Sequence, residues 1–352
     1  MDAVLTCLVD EKIEAGEMNA RLSEAVCSFF ESSGAISLES PSLALLYALR
    51  SLGCENNAKV MISALAPSWQ YFALEAFGFE VLVLDVDTKT GLVDFSVIFE
   101  GVKNGAKILI LHEPFGLSLP FSVFEQIKSL GIFLIEDVSQ SVGAVVLEDE
   151  EADSETETLD EKNGQKAGTF GSYSIMALGA FDALTVGGGA VLFAQKKREW
   201  TILNQIFENA PKTHLLGDVS SALAYMQFRA LSKNDEARAF VFRSYTRSLL
   251  GGNNRKNAPF ERKNGDAFRA FPVVLSQNFK EAQQYAEKKG VEIVRAFEDS
   301  VIAHILKTDG ELSADSYPRA RSLYLRTALF PLYPRMKAEM TERVGRVLST
   351  LP

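Results

Sequence analysis

The sequence predicts an α/β protein in which a large, mostly parallel sheet, covered on both faces, is followed by a smaller α+β unit. Three observations carry this. Short and almost wholly apolar runs of strand length, at 58–65, 81–87, 106–112 and 132–136, alternate with stretches of helical periodicity. Strands buried on both faces have this continuous apolar character. Gly53, Gly78 and Gly131 stand where helical stretches end, the position at which a left-handed residue releases the chain from a helix. The alternation then gives way, beyond residue 235, to long helices and isolated strands. A chain of 352 residues also exceeds one typical domain. Residues 1–235 are accordingly read as the large α/β domain and residues 236–352 as a small C-terminal α+β domain.

Taken in order, 18–32 is helical because Leu22, Ala25, Val26, Phe29 and Phe30 share one face, and 42–52 has the same spacing. A strand at 58–65, a helix at 69–77 closed by Gly78, and a strand at 81–87 follow. The beat continues with a helix at 95–102, a strand at 106–112, a helix at 122–130 and a strand at 132–136 that runs into Asp137. Residues 168–191 read as a further strand, a turn and the glycine run Gly187-Gly188-Gly189. Helices are expected at 218–231 and, behind Asn234-Asp235, at 235–250, with a break at Gly251-Gly252-Asn253-Asn254. A strand at 268–275, a helix at 278–289, a strand at 291–294 and helices at 318–327 and 337–349 complete the chain.

With 47% hydrophobic and 23% charged residues, the composition is that of a globular protein with ample core. No apolar run approaches the roughly 18 residues of a membrane span. The N-terminus lacks a basic segment and a long apolar stretch, so no signal peptide is expected and the location expected is cytoplasmic. Cys7, Cys27 and Cys54 have no metal-ligand spacing and are read as reduced thiols, with no metal site. The formal charge of −10 is concentrated: residues 148–161 carry nine acids and no base, and the remainder is near neutral. Such a block repels itself and stays solvated, which predicts an exposed, disordered loop. The acidity argues against nucleic acid as a partner.

The stretch 132–191 has the outline of half a cofactor site, with an acid at a strand end and a glycine run, but no lysine stands between Gly168 and those glycines. Five segments in order, SPSLALLYALRSLG (40–53), GFEVLVLDVD (78–87), HEPFG (112–116), IEDVSQSVGA (135–144) and 168–191, resemble the DegT/StrS family of pyridoxal-phosphate-dependent sugar-nucleotide aminotransferases. SSALAYMQFRAL (220–231) and FPLYP (330–334) extend the likeness to nearly the whole chain. The resemblance implies the type I (aspartate aminotransferase) fold, pyridoxal phosphate as cofactor, a nucleotide-sugar ligand and a dimer with a composite site. It makes Asp137 the carboxylate that keeps the cofactor ring nitrogen protonated. It sets Gln140 beside the ring's phenolic oxygen and Ser42 at the helix N-terminus that cradles the phosphate. The position of the stacking aromatic ring falls on Pro67, with Trp69 two residues on. Each residue also has a plainer role: Asp137 as a helix cap, Ser40-Pro41 as a helix start, Trp69 as core.

The departures decide the expectation. Counting back from the glycines, the Schiff-base lysine slot falls on Phe181 or Asp182, and neither has an amine. Lys162 and Lys166 precede Gly168, on the wrong side of the strand. Pro41 has no N–H for a phosphate. The family's Asn-Arg element is replaced by Lys212-Thr213-His214-Leu215, and Glu113 occupies the family's histidine position, one residue after His112. The expectation is a pseudoenzyme, impaired for transamination, that forms a homodimer or a heterodimer with an active paralogue and serves as a binding or regulatory subunit. The alternatives are an enzyme that holds pyridoxal phosphate non-covalently and uses a nonstandard base, and a scaffold whose pocket is filled by Phe181 and Trp69.

Overall fold

The computed structural model describes residues 2–55, 57–148, 164–252, 256–308 and 313–352; of the acidic run 148–161 only Glu148 lies within them. Among the described residues, thirteen strands and thirteen helices are numbered in chain order. The central sheet has the order β1 (Gly34–Leu38), β9 (Ala190–Ala194), β8 (Tyr173–Ala177), β5 (Phe133–Asp137), β4 (Ile108–His112), β2 (Lys59–Ser63), β3 (Glu80–Leu84). Strands β8, β5, β4, β2 and β3 are parallel, and β9 runs antiparallel to both β8 and β1. The mostly parallel sheet expected from the sequence is therefore present.

Strand β9 shows why the sheet needs helices on both faces. Its residues alternate, so Ala190, Leu192 and Ala194 enter the main core while Val191 and Phe193 enter a second cluster on the other face. Helices α3 (Pro41–Ser51), α5 (Phe95–Lys103) and α6 (Phe121–Ser129) contribute to the main core, through residues such as Leu45, Ile98 and Phe124. Helices α2 (Glu17–Phe30) and α8 (Asp218–Arg229) seal the second cluster with Leu22, Val26, Phe30 and Phe228. The Phe30 ring stacks on Phe193 with centroids 4.4 Å apart, and meets Phe29 edge-on at 4.9 Å.

Helix α2 lacks a side-chain cap of its own, because its N-cap is Gly16. Its free amides are satisfied from across the sequence. The buried Asp218 carboxylate accepts from the N–H groups of Gly16 (2.8 Å), Asn19 (2.9 Å) and Met18 (3.2 Å). Removing a cap costs about 1–2 kcal/mol, and stranding buried donors adds to it. Asp218→Ala is expected to lower stability by about 2 kcal/mol, read as a drop in the urea midpoint. An unchanged midpoint would show the cap to be dispensable.

Beyond the large sheet, helix α9 (Leu231–Leu250) leads into an antiparallel sheet ordered β10 (Ala258–Pro259), β11 (Phe271–Val274), β13 (Thr327–Phe330), β12 (Val294–Arg295). Its core combines Phe242 and Tyr245 of α9, Phe279 of α10 (Phe279–Lys288) and Leu348 of α13 (Ala338–Ser349). Asn234-Asp235, read from sequence as a helix start, instead lies inside α9. Asp235 does not cap; it pairs with Arg238 (3.2 Å) and with the buried Arg269. Helices α11 (Val301–Ile305) and α12 (Pro318–Arg326) turn back onto the main core through Val301, Ile302, Ala320 and Leu323. A backbone zipper joins this return to the loop after β2: Val301 N donates to Ala66 O (2.9 Å) and Ile302 N to Ala64 O (2.8 Å).

The remaining elements are α1 (Asp2–Val9), α4 (Ser68–Ala76), α7 (Lys197–Phe207) and the hairpin of β6 (Val145–Leu147) and β7 (Gly164–Lys166). Cys7, Cys27 and Cys54 are free thiols. Among the described residues no helix is long and apolar enough to cross a membrane, and no cluster suited to a metal ion occurs.

Candidate functional site

Strands β4 and β5 pair in parallel with His112 opposite Asp137, so both residues sit at the carboxyl edge of the sheet, where α/β sheets form their crevices. Asp137 is fully buried. Its Oδ2 accepts from Gln70 Nε2 at 2.7 Å and lies 3.2 Å from His112 Nδ1. Its Oδ1 accepts from the Ser139 amide (3.2 Å) and hydroxyl, and Ser139 Oγ in turn accepts from the Ala177 amide at 2.8 Å. Asp137 thus caps no helix; its two oxygens are closed over by three neighbouring side chains. The Gln70 carbonyl oxygen is buried without a hydrogen-bond partner among the described residues.

Beside this cluster opens a cavity of about 460 Å³ bordered by His112, Gln140 and Asp182, with Pro41, Pro67 and Trp69 at helix starts. Gln140 Oε1 accepts from the Phe115 amide at 3.1 Å. Phe115 and Phe297 both border the cavity with left-handed backbones, φ 58° and 60°, and their rings lie 4.9 Å apart. A bulky residue in that region costs about 1–2 kcal/mol, so packing holds both in place against their preference.

The two residues on which the resemblance sets the lysine slot separate here. Phe181 is 71% exposed, so it leaves the cavity open and does not fill it. Asp182 is half-buried, and its Oδ2 accepts from the Gly179 amide at 2.6 Å. Burial, reinforced by the Asp137 charge, pushes its carboxyl up to about 6, against the opposing pull of the Gly179 amide and His112. The other sequence candidates fall as follows. Trp69 borders the cavity and also packs on the main core. Ser42 is half-buried at the second position of α3 and does not border the cavity; Pro41 does. Ser40 Oγ already accepts the Leu43 amide at 3.2 Å. His214 lies elsewhere, with Nδ1 2.7 Å from the Tyr47 hydroxyl. Lys166 sits in β7, 3.8 Å from Glu31, and Lys162 lies outside the described residues. Among the described residues no lysine borders the cavity.

Sequence reasoning missed Gln70, Ser139 and the segment carrying Arg295, Phe297, Glu298 and Asp299. A glutamine on the inner face of α4 was the one available signal. The 295–299 segment has none, because it reaches the cavity only through the zipper to residues 64–68.

Two further buried carboxylates lie nearby. Glu136 precedes Asp137 on β5, so its side chain emerges on the opposite face. It accepts from the amides of Gly168 (2.8 Å), Phe170 (2.7 Å) and Gly171 (2.5 Å). Glu113 accepts from the hydroxyls of Ser118 and Ser141, the latter at 2.6 Å. Burial pushes Glu136 up to about 7 and, together with the Glu136 charge, Glu113 up to about 8. A second cavity, about 510 Å³, lies between the 87–95 loop and residues 261–266, and none of the cofactor-type residues borders it.

The chain matches the model of the DegT/DnrJ/EryC1/StrS aminotransferase family over residues 1–349. It is 23% identical over 205 residues to the GDP-4-keto-6-deoxy-D-mannose 3-dehydratase of Yersinia pseudotuberculosis, a match that spans 54% of this chain and about half, 47%, of that relative. Among solved structures it is similar to a variant of GDP-4-keto-6-deoxymannose-3-dehydratase with bound GDP-perosamine: TM-score 0.81 at 16% identity, over 99% of this chain and 96% of that one. It is equally similar to a protein described as a sugar aminotransferase from Streptococcus pneumoniae, in its PMP form: TM-score 0.82 at 13% identity, over 99% and 94% of the two chains. At these identities the structures speak for the shared fold. With the family match covering almost every residue, the chain belongs to the DegT/DnrJ/EryC1/StrS aminotransferase family.

Proposed function

We propose that this chain keeps the family's ligand cavity without its covalent cofactor chemistry, and serves as a binding or regulatory subunit in nucleotide-sugar metabolism. The carrying observation is the cavity wall, where among the described residues no lysine stands and Asp182 takes the place, within reach of the charges of His112 and Asp137. Transamination needs an amine that forms a Schiff base and then moves the substrate proton. A carboxylate forms none.

The residues present do not fit pyridoxal phosphate. A phosphate rests on several free amides at a helix N-terminus. At the start of α3, Pro41 has no N–H and the Leu43 amide is taken by Ser40, which leaves one amide of the first three. The ring nitrogen needs a carboxylate, yet both Asp137 oxygens are engaged by Gln70, His112 and Ser139. Asp182, Glu298 and Asp299 on the cavity wall oppose a dianion. The nucleotide-sugar context is supported by the dehydratase relative that binds GDP-perosamine. The domain division at residue 235 and a homodimer or heterodimer with an active paralogue belong to the same reading.

Absorbance of the purified protein mixed with pyridoxal phosphate tests it. No visible aldimine band is expected. A band abolished by borohydride, or by replacing one lysine, would sink the proposal. Light scattering that finds a monomer with no co-purifying chain would remove the dimeric part.

One observation favours a second reading, an acid–base enzyme working without a Schiff base. His112 is oriented by Asp137 at 3.2 Å and borders the same cavity as Asp182, whose raised carboxyl suits proton transfer near neutrality. Incubation with a keto-sugar nucleotide in heavy water is the check. Deuterium entering beside the ketone, and lost in Asp182→Asn, would support it; absence of exchange would remove it.

A further inference from the structure

The cavity has the electrostatics of a cation site. Asp182 lies beside Asp137 and His112 in its interior, while Glu298 and Asp299 are exposed at its rim. Asp299 is held there by the Ser68 hydroxyl at 2.6 Å. Among the described residues the one arginine or lysine bordering the cavity is Arg295, and its guanidinium is committed elsewhere. It donates to the carbonyls of Tyr324 (3.3 Å) and Leu325 (3.4 Å) and lies over the rings of Phe279 (4.7 Å) and Tyr324 (5.1 Å). His112 directs Nδ1 at Asp137 and not at Asp182.

Asp182 is therefore a half-buried carboxylate without an ion partner among the described residues. One oxygen takes the Gly179 amide, and the other has no hydrogen-bond partner among those residues. Around it the walls are aromatic and aliphatic: Trp69, Phe115, Phe297, Leu65 and Leu329. The volume, about 460 Å³, is that of a small-molecule site. An anionic ligand would meet three carboxylates. A neutral one would dehydrate Asp182 and leave it unpaired, which costs free energy. An ammonium group gains the carboxylate, while the aromatic rings of the same cavity wall are open to an apolar body and favour a cation over an anion.

We propose that this cavity binds an organic ammonium, a primary amine carried on a flat apolar body, with Asp182 as its counter-ion. The proposal rests on the reading that the cavity does not take pyridoxal phosphate. Asp182 makes the ion pair in the interior, the aromatic walls take the ring, and Glu298 and Asp299 raise the local cation concentration at the mouth.

Calorimetry with three probes of one shape tests this: tryptamine, its neutral counterpart tryptophol, and the anion indole-3-propionate, at about pH 7.5, where Asp182 is ionised and the amine protonated. Tryptamine is expected to bind at least about ten-fold more tightly than tryptophol, with the anion weakest. Asp182→Asn keeps an oxygen for the Gly179 amide and is expected to bring tryptamine and tryptophol within about two-fold of one another. Glu298→Gln, at an exposed position, is expected to weaken tryptamine less, by an amount that vanishes in high salt. Equal binding of amine and alcohol, tighter binding of the anion, no binding of tryptamine, or a preference that survives Asp182→Asn would each overturn the proposal. Failure of the cofactor reading is separately visible, as an aldimine band in the absorbance spectrum. Loss of amine preference leaves that spectrum unchanged.

Discussion

Replacing Gly116 with alanine is expected to cost about 4 kcal/mol, a large part of the stability of a typical domain. Gly116 has φ +89°, where a side chain is strained. The added Cβ would sit 1.8 Å from the carbonyl oxygen of Ala267. That oxygen cannot swing away cheaply, because the two strands of chain are bonded: the Ala267 amide donates to Gly116 O at 2.8 Å, and Arg262 donates to Ala267 O at 2.8 Å. Relief requires the 115–117 turn to leave residue 267, and Phe115 with its cavity wall would move with it. Gly53 provides the control. Its φ is similarly positive, at +66°, but nothing lies within 4 Å of a Cβ there, so alanine is expected to cost only about 1 kcal/mol. Urea unfolding of the two variants decides the point. Equal midpoints would mean that the close approach of residues 116 and 267 does not constrain the fold.

The second large effect concerns Glu113. Burial, reinforced by the Glu136 charge and opposed by the Ser118 and Ser141 hydroxyls and the Lys263 charge, holds its carboxyl at about 8 in the folded protein, against 4.5 for the free group. Between those values the folded state keeps a proton that the unfolded state has released, so raising pH through the window favours unfolding. The stability this group contributes is fully present below about pH 4.5 and is lost as pH rises toward about 8. Glu113→Gln mimics the protonated acid, since the Ser118 and Ser141 hydroxyls can rotate to accept from its amide. It is expected to flatten the pH dependence and raise the melting temperature at pH 8. Glu136→Gln is expected instead to lower the melting temperature at both low and high pH. Glu136 receives backbone amides on both oxygens, from Gly168 on one and from Phe170 and Gly171 on the other, and an NH₂ group on either side would face an N–H that cannot rotate. Melting curves of both variants at two pH values test the assignment, and similar responses would refute it.

The architecture was legible because burial on both faces writes itself into composition. Strand β4, ILILH, is buried at every position and could be read as a strand without knowing its neighbours. Strand β1, GAISL, could not: it begins with glycine, carries a serine, and is held in the sheet by antiparallel pairing of residues 34–38 with 190–194, far along the chain. Helix α9 began earlier than expected because Asn234-Asp235 resembles a cap locally, while Arg269 claims Asp235 from another part of the fold. At the site, the order of segments pointed to Asp137 beside the cavity and to Gln140, Phe181 and Asp182 on its wall. It did not choose between Phe181 and Asp182, since one residue of register separates an exposed ring from an inward carboxylate. Nor did it show that Asp137 is enclosed, because Gln70 arrives from a helix whose periodicity says only which face is inward.

The Asp218 carboxylate has a consequence for how the protein is made. The amides at the start of α2 wait for an acceptor about 200 residues downstream, from residue 16 to residue 218. At ribosomal speeds of about 5–20 residues per second, that acceptor leaves the ribosome roughly 10–40 seconds after the helix does. Through that interval the helix has its apolar face, Leu22, Val26 and Phe30, and only water for the amides of its first turn. The cap of α2 is therefore completed late, although residues 17–30 are made well before residue 218. The nascent chain must keep that face shielded until the second half of the large sheet exists.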